Sequence, residues 1–334
     1  MSQQGPPVPF SSLPLSKTHE AAKLNAWGAY GDKDERGFLN RQTDAIVAAA
    51  AASEIKTGTR VSLNAALDFQ GDRPLFGRQV FEKNVYQKPP RIVHDDTWHF
   101  NTQSSSQWDG LRHFGYQQAQ RFYNDTTLED IAGTTERAKS QPNILGVQNL
   151  EKHGIVGRGV LIDFARWREG PGKDVPGVSD FKTFERTPIK LEWLKEILKW
   201  QGTELKFGDI LIIRSGYMPS YYALTDLEVT TLQNMHPPSL GGVEQSEELL
   251  KWIWENFSCV AADHPSFEMW PTPLEWSCHE VFLAGWGCPI GELFELEELS
   301  RVCEREGRWS FFVTSEAVNV PGGVASPPNA LAIF

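Results

Sequence analysis

Apolar residues gather in three short unbroken runs in the second half of the chain. These are residues 158–164 (RGVLIDF), 208–215 (GDILIIRS) and 258–262 (SCVAA). Each is too short for a helix and is bounded by glycine or polar residues, so each predicts a strand buried on both faces. Residues 59–66 (TRVSLNAA) alternate instead, as a half-buried strand does, and residues 309–314 form a further strand. Helices are predicted over 43–56, where Thr43 or Asp44 can cap an alanine-rich run that Gly58 follows. Short helical segments follow over 128–138 and 148–152. Thr187-Pro188 reads as the N-cap and first residue of a helix running to Trp200. Gly241-Gly242 precede a helix over 244–256 with an acidic first turn. Residues 273–286 and 295–306 complete the set, and residues 67–99 read as loop with short strands. Strands alternating with helices predict a mixed α/β domain.

Composition narrows the class. Among 334 residues, 40% are hydrophobic and 22% charged, values typical of a globular protein. Residues 1–20, rich in Pro, Ser and Gln, read as a flexible or loosely docked arm. Residues 21–334 are expected to form one domain. A net charge of −11 argues against nucleic acid or an anionic membrane as partner. The chain has no apolar run long enough to span a bilayer, and its N-terminus lacks the pattern of a secretory signal. Cys259, Cys278, Cys288 and Cys303 form no CxxC pair. Reduced thiols in a cytoplasmic protein are therefore expected.

The densest polar chemistry lies in residues 99–116 (HFNTQSSSQWDGLRHFGY). Gln103, Gln107, Asp109 and His113 can each bind a metal, a proton or an amide. Trp108, Phe114 and Tyr116 can wall such a site and favour a flat ring as substrate. Serine and glutamine in the first half argue against an ordinary core strand, and Asp109-Gly110 reads as a turn. A second dense stretch is 263–268 (DHPSFE), a loop after a strand end, where open α/β sheets often bind ligands. A third pairs His279 with Glu292. Two histidines and two carboxylates suit Zn2+ or Mn2+. Each residue also has a plainer explanation: Asp109 shaping a turn, His113 or His279 as core histidines, Glu292 capping a helix.

Residues 103–114 resemble the signature H-x3-H-x-D-x3-H-F of the cyclase-like metal-dependent hydrolases, the superfamily of bacterial kynurenine formamidase and isatin hydrolase. Asp109 and His113-Phe114 fall in place, while Gln103 and Gln107 stand where the pattern has histidines. Further likenesses follow in order: GVLIDFAR, GDILIIRSGY, VAADHPSFE, His279 with Glu292 thirteen residues on, and NVPGGVASPP. Together they cover about residues 40–334. The resemblance implies a swivelling β/β/α fold with a mixed sheet and a β-barrel-like core, assembled as a homodimer or homotetramer. It implies metal ligands at Gln103, Gln107, Asp109, His279 and Glu292, with His113 as acid/base and Glu292 sharing in catalysis. The implied reaction is arylformamidase-like: cleavage of an amide, lactam or ester bond of a small, often aromatic substrate by metal-activated water. An amide oxygen binds Zn2+ less well than imidazole, so two glutamines move the set towards Mn2+. Two alternatives stay open: a metal-independent cyclase, lyase or isomerase, and a non-catalytic small-molecule-binding protein.

Overall fold

The computed structural model describes residues 5–72 and 74–334. One nine-stranded mixed sheet organises the chain. Its centre is four parallel strands, Ile155–Asp163, Asp209–Arg214, Phe257–Ala262 and Ile290–Glu292. Ser310–Ser315, Leu331–Ile333 and Arg60–Ser62 extend it antiparallel on one side, and Gln107–Asp109 and Ala325–Ser326 on the other. The predicted apolar runs are three of the central strands, and Ile210 to Ile213, for example, are all buried. Burying each such side chain contributes about 1.5–3 kcal/mol. Beyond Arg60–Ser62 the sheet curls, because Asn64 bridges Phe294 just past the Ile290–Glu292 strand.

Amphipathic helices cover the sheet. Leu191–Gln201 buries Leu191, Leu194, Ile197 and Leu198; Glu247–Asn256 buries Leu249, Leu250, Ile253 and Trp254. Both show the three- and four-residue spacing of a single buried face. Asp44–Glu54 begins, as expected, at Thr43, whose side chain accepts from Ile46 N–H. The four cysteines are free and buried. No helix among the described residues is long and apolar enough to cross a membrane.

Several expectations are corrected. Thr187-Pro188 does not start a helix: Pro188–Ile189 pairs in parallel with Gly242–Val243, and the helix begins after Lys190. A two-residue edge strand tolerates proline. Gly242 serves close approach, since a Cβ there would fall 2.5 Å from the Glu268 carbonyl carbon. The following helix therefore starts later, capped by Ser246. Within residues 273–286 the wide-turned π-helix Glu280–Trp286 replaces an ordinary α-helix. The short strands expected within residues 67–99 are present and pair as a hairpin, Glu82–Gln87 with His94–His99. Residues 1–4 lie outside the described residues. Of the N-terminal segment that follows, Phe10 packs edge-on against Trp286, and the Val8 carbonyl accepts from Trp254 Nε1.

Candidate active site

Strand periodicity builds one wall of the site. Gln107 lies opposite Glu292 across an antiparallel pair, and its Nε2 donates to Glu292 Oε2 at 2.7 Å. Asp109, two residues on, shares that face. Trp108 points the other way, where Nε1 donates to Ser315 Oγ at 2.8 Å and the ring meets Phe294 edge-on. Gly291, opposite Trp108, leaves room for that ring. A Cβ at Gly291 would lie 2.6 Å from Ala261 Cβ and 2.9 Å from Trp108. The serine- and glutamine-rich stretch thus ends in a buried core strand after all, and Asp109 closes it between Ile290 and Ala325. The turn comes one residue later: His113 N–H donates to the Gly110 carbonyl at 3.0 Å. It returns the His113 ring to within 3.6 Å of Asp109 Oδ2. Gln103 Nε2 joins them, 2.7 Å from Asp109 Oδ1 and 3.1 Å from His113 Nδ1.

The opposite wall comes from the 263–268 loop and the start of the π-helix. Glu268 accepts both the backbone N–H of His279 at 3.0 Å and its ring Nδ1–H at 2.8 Å. That fixes the tautomer and leaves Nε2 facing Glu292 Oε1 at 3.2 Å. Burial opposes charge on His279, but Glu268 and Glu292 outweigh it and hold the pKa well above the usual value. Burial would raise Glu268, and His279 instead keeps it below the ordinary carboxylate value. Burial and then the nearby Asp109 raise Glu292 to about 7. Burial lowers His113 despite Asp109, so its ring favours the neutral form.

These walls enclose a cavity of about 280 Å³. Gln103, His113, Phe114, His279 and Glu292 line it, together with Phe76, Arg78, Pro265, Ser266 and Trp270. Phe114 meets the His279 ring edge-on. Trp108 and Tyr116, expected at the substrate, lie in the core instead. Tyr116 donates its hydroxyl to the Lys23 carbonyl and packs on Trp27. Proximity in sequence to the polar residues misled here, because alternation and the following turn carry both rings away from the cavity.

Sequence reasoning assigned no role to Glu268, Arg78, Phe76 or Trp270. Glu268 had a signal, since it ends the DHPSFE loop already marked as dense in functional groups. Arg78 and Phe76 sat in a stretch without periodicity. His264, in the same loop, is buried with both ring nitrogens unpartnered, and burial lowers its pKa to about 4.

The donor set fits a divalent cation. Asp109 Oδ2 and Gln107 Oε1 are buried without a hydrogen-bond partner, and Glu292 Oε1 has only the His279 ring at 3.2 Å, a costly state that a cation would relieve. Asp109, His113 and His279 each offer an atom within 4.8 Å of the others. Gln103 and Gln107 engage the carboxylates through amide nitrogen, as donors. A flipped amide would set oxygen against oxygen, so the chemistry supports this orientation.

A mixed α/β sheet carrying a buried histidine–carboxylate cavity beside its central strands defines the class. A family model described as Cyclase matches residues 57–269, and the chain belongs to that family. A crystal structure described as a novel cyclase is 30% identical, covering 93% of this chain and 100% of the other, with a TM-score of 0.78. Isatin hydrolase A from Ralstonia solanacearum is 14% identical over 87% of this chain and 96% of its own, with a TM-score of 0.56. An isatin hydrolase bound to the product analogue thioisatinate is 10% identical over 86% and 95%, also with a TM-score of 0.56. The two hydrolases share the fold. No curated protein sequence matches the chain.

Proposed function

We propose that this chain is a hydrolase that opens an amide, lactam or ester bond of a small aromatic compound in the cavity, arylformamidase-like in its chemistry. One observation carries this reading: ligand atoms of Asp109, His113 and His279 lie within 4.8 Å of one another, and His279 Nε2 is aimed at Glu292 Oε1 at 3.2 Å. The names of the isatin hydrolases, proteins of the same fold, support it.

Asp109, His279 and Glu292, with Gln107 Oε1 adjoining, would hold a divalent cation, Mn2+ or Zn2+. Bound there, the cation supplies a Lewis acid that polarises a carbonyl and acidifies water. Glu268 orients His279 from behind. Gln103 and Gln107 each hold one oxygen of a carboxylate and leave the other free. His113, neutral and facing the cavity, takes a proton from the attacking water and returns it to the leaving nitrogen or oxygen. Phe76, Phe114 and Trp270 grip a flat ring. Arg78, on the same wall, stabilises negative charge that develops on the substrate.

The test is metal analysis of the purified protein, followed by ultraviolet assays on aryl formamides and aromatic lactams. Bound Mn or Zn with turnover, both lost in Asp109→Ala/His279→Ala, supports the reading. No metal after incubation with Mn2+ or Zn2+, and no turnover, overturns it. A second reading has its own observation: both glutamines present donors where a ligand needs an acceptor. The space between His279 and Glu292 would then hold a proton, and the site would perform proton transfer. Turnover of a carbonyl substrate by metal-free protein would establish that alternative.

A further inference from the structure

The strand that ends at Glu292 turns sharply at the next residue. Leu293 has a φ of +55°, in the left-handed region that residues other than glycine enter at a cost. Residues held there cluster at functional sites and persist only where their surroundings over-determine them. Three contacts do so here. The Leu293 side chain is fully buried against a second apolar cluster that includes Tyr217, Met218 and Leu240. Its N–H donates to the His264 carbonyl at 3.2 Å. Its carbonyl accepts from Ser106 Oγ at 2.6 Å.

Ser106 closes a run of three serines that the proposed reaction does not use. The three hydroxyls differ in what they hold. Ser104 Oγ donates to the Asn101 carbonyl and Ser105 Oγ to the Ala66 carbonyl, both at 2.8 Å. Ser106 Oγ accepts the Ala65 N–H at 2.8 Å while donating to Leu293. The buried hydroxyl is thus engaged both as donor and as acceptor. Leu293 is therefore tied to both walls of the cavity. His264 links it to the 263–268 loop, and Ser106 links it to the strand bearing Gln107 and Asp109.

The carboxylate one residue earlier is shared between the same two walls. Gln107 Nε2 lies 2.7 Å from one Glu292 oxygen, and His279 Nε2 lies 3.2 Å from the other. A rotation of the main chain at 292–293 would swing both oxygens together. A displacement of about 1 Å is enough to spoil the geometry of a ligand or a reacting group. We propose that Ser106 is a positioning residue: by pinning Leu293 in its left-handed turn, its hydroxyl fixes where the Glu292 carboxylate stands beside His279. The inference rests on the reading of Glu292 as a ligand given above. Ser106 acts through Glu292 and does not itself line the cavity.

The test compares Ser106→Ala with Ser105→Ala in the full chain. Each removes one buried hydroxyl from the same stretch, so each should lower the melting temperature. Ser106→Ala also removes the pin. Mn2+ binding is read by calorimetry, and the ring-nitrogen NMR signals of His279 are read in metal-free protein. Ser106→Ala should weaken Mn2+ binding by about 10–100-fold and shift the His279 signals. On a substrate that is turned over, it should lower kcat while KM stays within about twofold. Ser105→Ala should change none of these. Ser106→Thr keeps the hydroxyl and should return all three towards wild type. Should Ser106→Ala not fold, Ser106→Cys supplies a weaker donor of similar size and should show smaller changes in the same direction. A folded Ser106→Ala protein with wild-type Mn2+ affinity and unmoved His279 signals overturns the proposal, and so do equal changes in Ser105→Ala. A wild type that binds no Mn2+ overturns the hydrolase reading instead, and the His279 signals of the metal-free protein still decide the role of Ser106.

Discussion

Two stretches separated by only a few residues of chain sit at opposite physical extremes. In the 103–113 stretch nearly every polar group is enclosed by protein, Gln103 and His113 line the cavity, and Gln107 Oε1 and Asp109 Oδ2 are buried without a partner. In the 82–99 hairpin the apolar groups are the ones in the wrong solvent. In both, a group is held where water or a core would normally satisfy it, and the environment it lacks identifies its use. Unpartnered buried oxygens ask for a cation or a proton. Exposed valine and tryptophan ask for another surface.

The comparison is most sharply broken at His279. His279→Ala should lower kcat/KM by at least about 10³-fold, measured on whichever amide or lactam is turned over. Glu268→Gln keeps the shape but loses the charge behind the imidazole. It should cost about 10–100-fold in activity and in metal affinity by titration. Gly291→Ala forces a methyl into the contact between Ala261 and Trp108 and should destabilise by about 1–3 kcal/mol, read from the urea midpoint. At the other extreme, Ile92→Ser at the hairpin tip should leave stability within about 0.5 kcal/mol by the same assay. A large loss there would mean that the tip packs on something the isolated chain does not show.

Much of the sheet was legible because burial on both faces leaves a sequence few choices. The runs around Ile162, Ile212 and Val260 are apolar without alternation and are read directly as central strands. The site was legible in its ingredients: Gln103, Gln107, Asp109, His113, His279 and Glu292 do meet. Less legible was anything set by a long-range partner. Thr187-Pro188 carries a helix-start signal locally, yet pairing with Gly242 wins. Asp109-Gly110 carries a turn signal, yet two flanking strands claim Asp109. The hairpin shows neither clean alternation nor a Gly-rich two-residue turn, and its closing stretch is Pro89-Pro90-Arg91-Ile92. The roles of Glu268 and Arg78 depend on what stands opposite them, which spacing does not encode.

Glu268 holds His279 by its main chain and its ring together, so the 263–268 loop and the start of the π-helix behave as one casting. A change in the loop that reshapes Pro265 or Ser266 for a new substrate would also tilt the imidazole. On the wall bearing Phe76, Arg78 is tied to the Gln103 carbonyl instead, and among the described residues no hydrogen bond joins that wall to His279. A substitution at Phe76 can therefore reshape the cavity while the imidazole keeps its place.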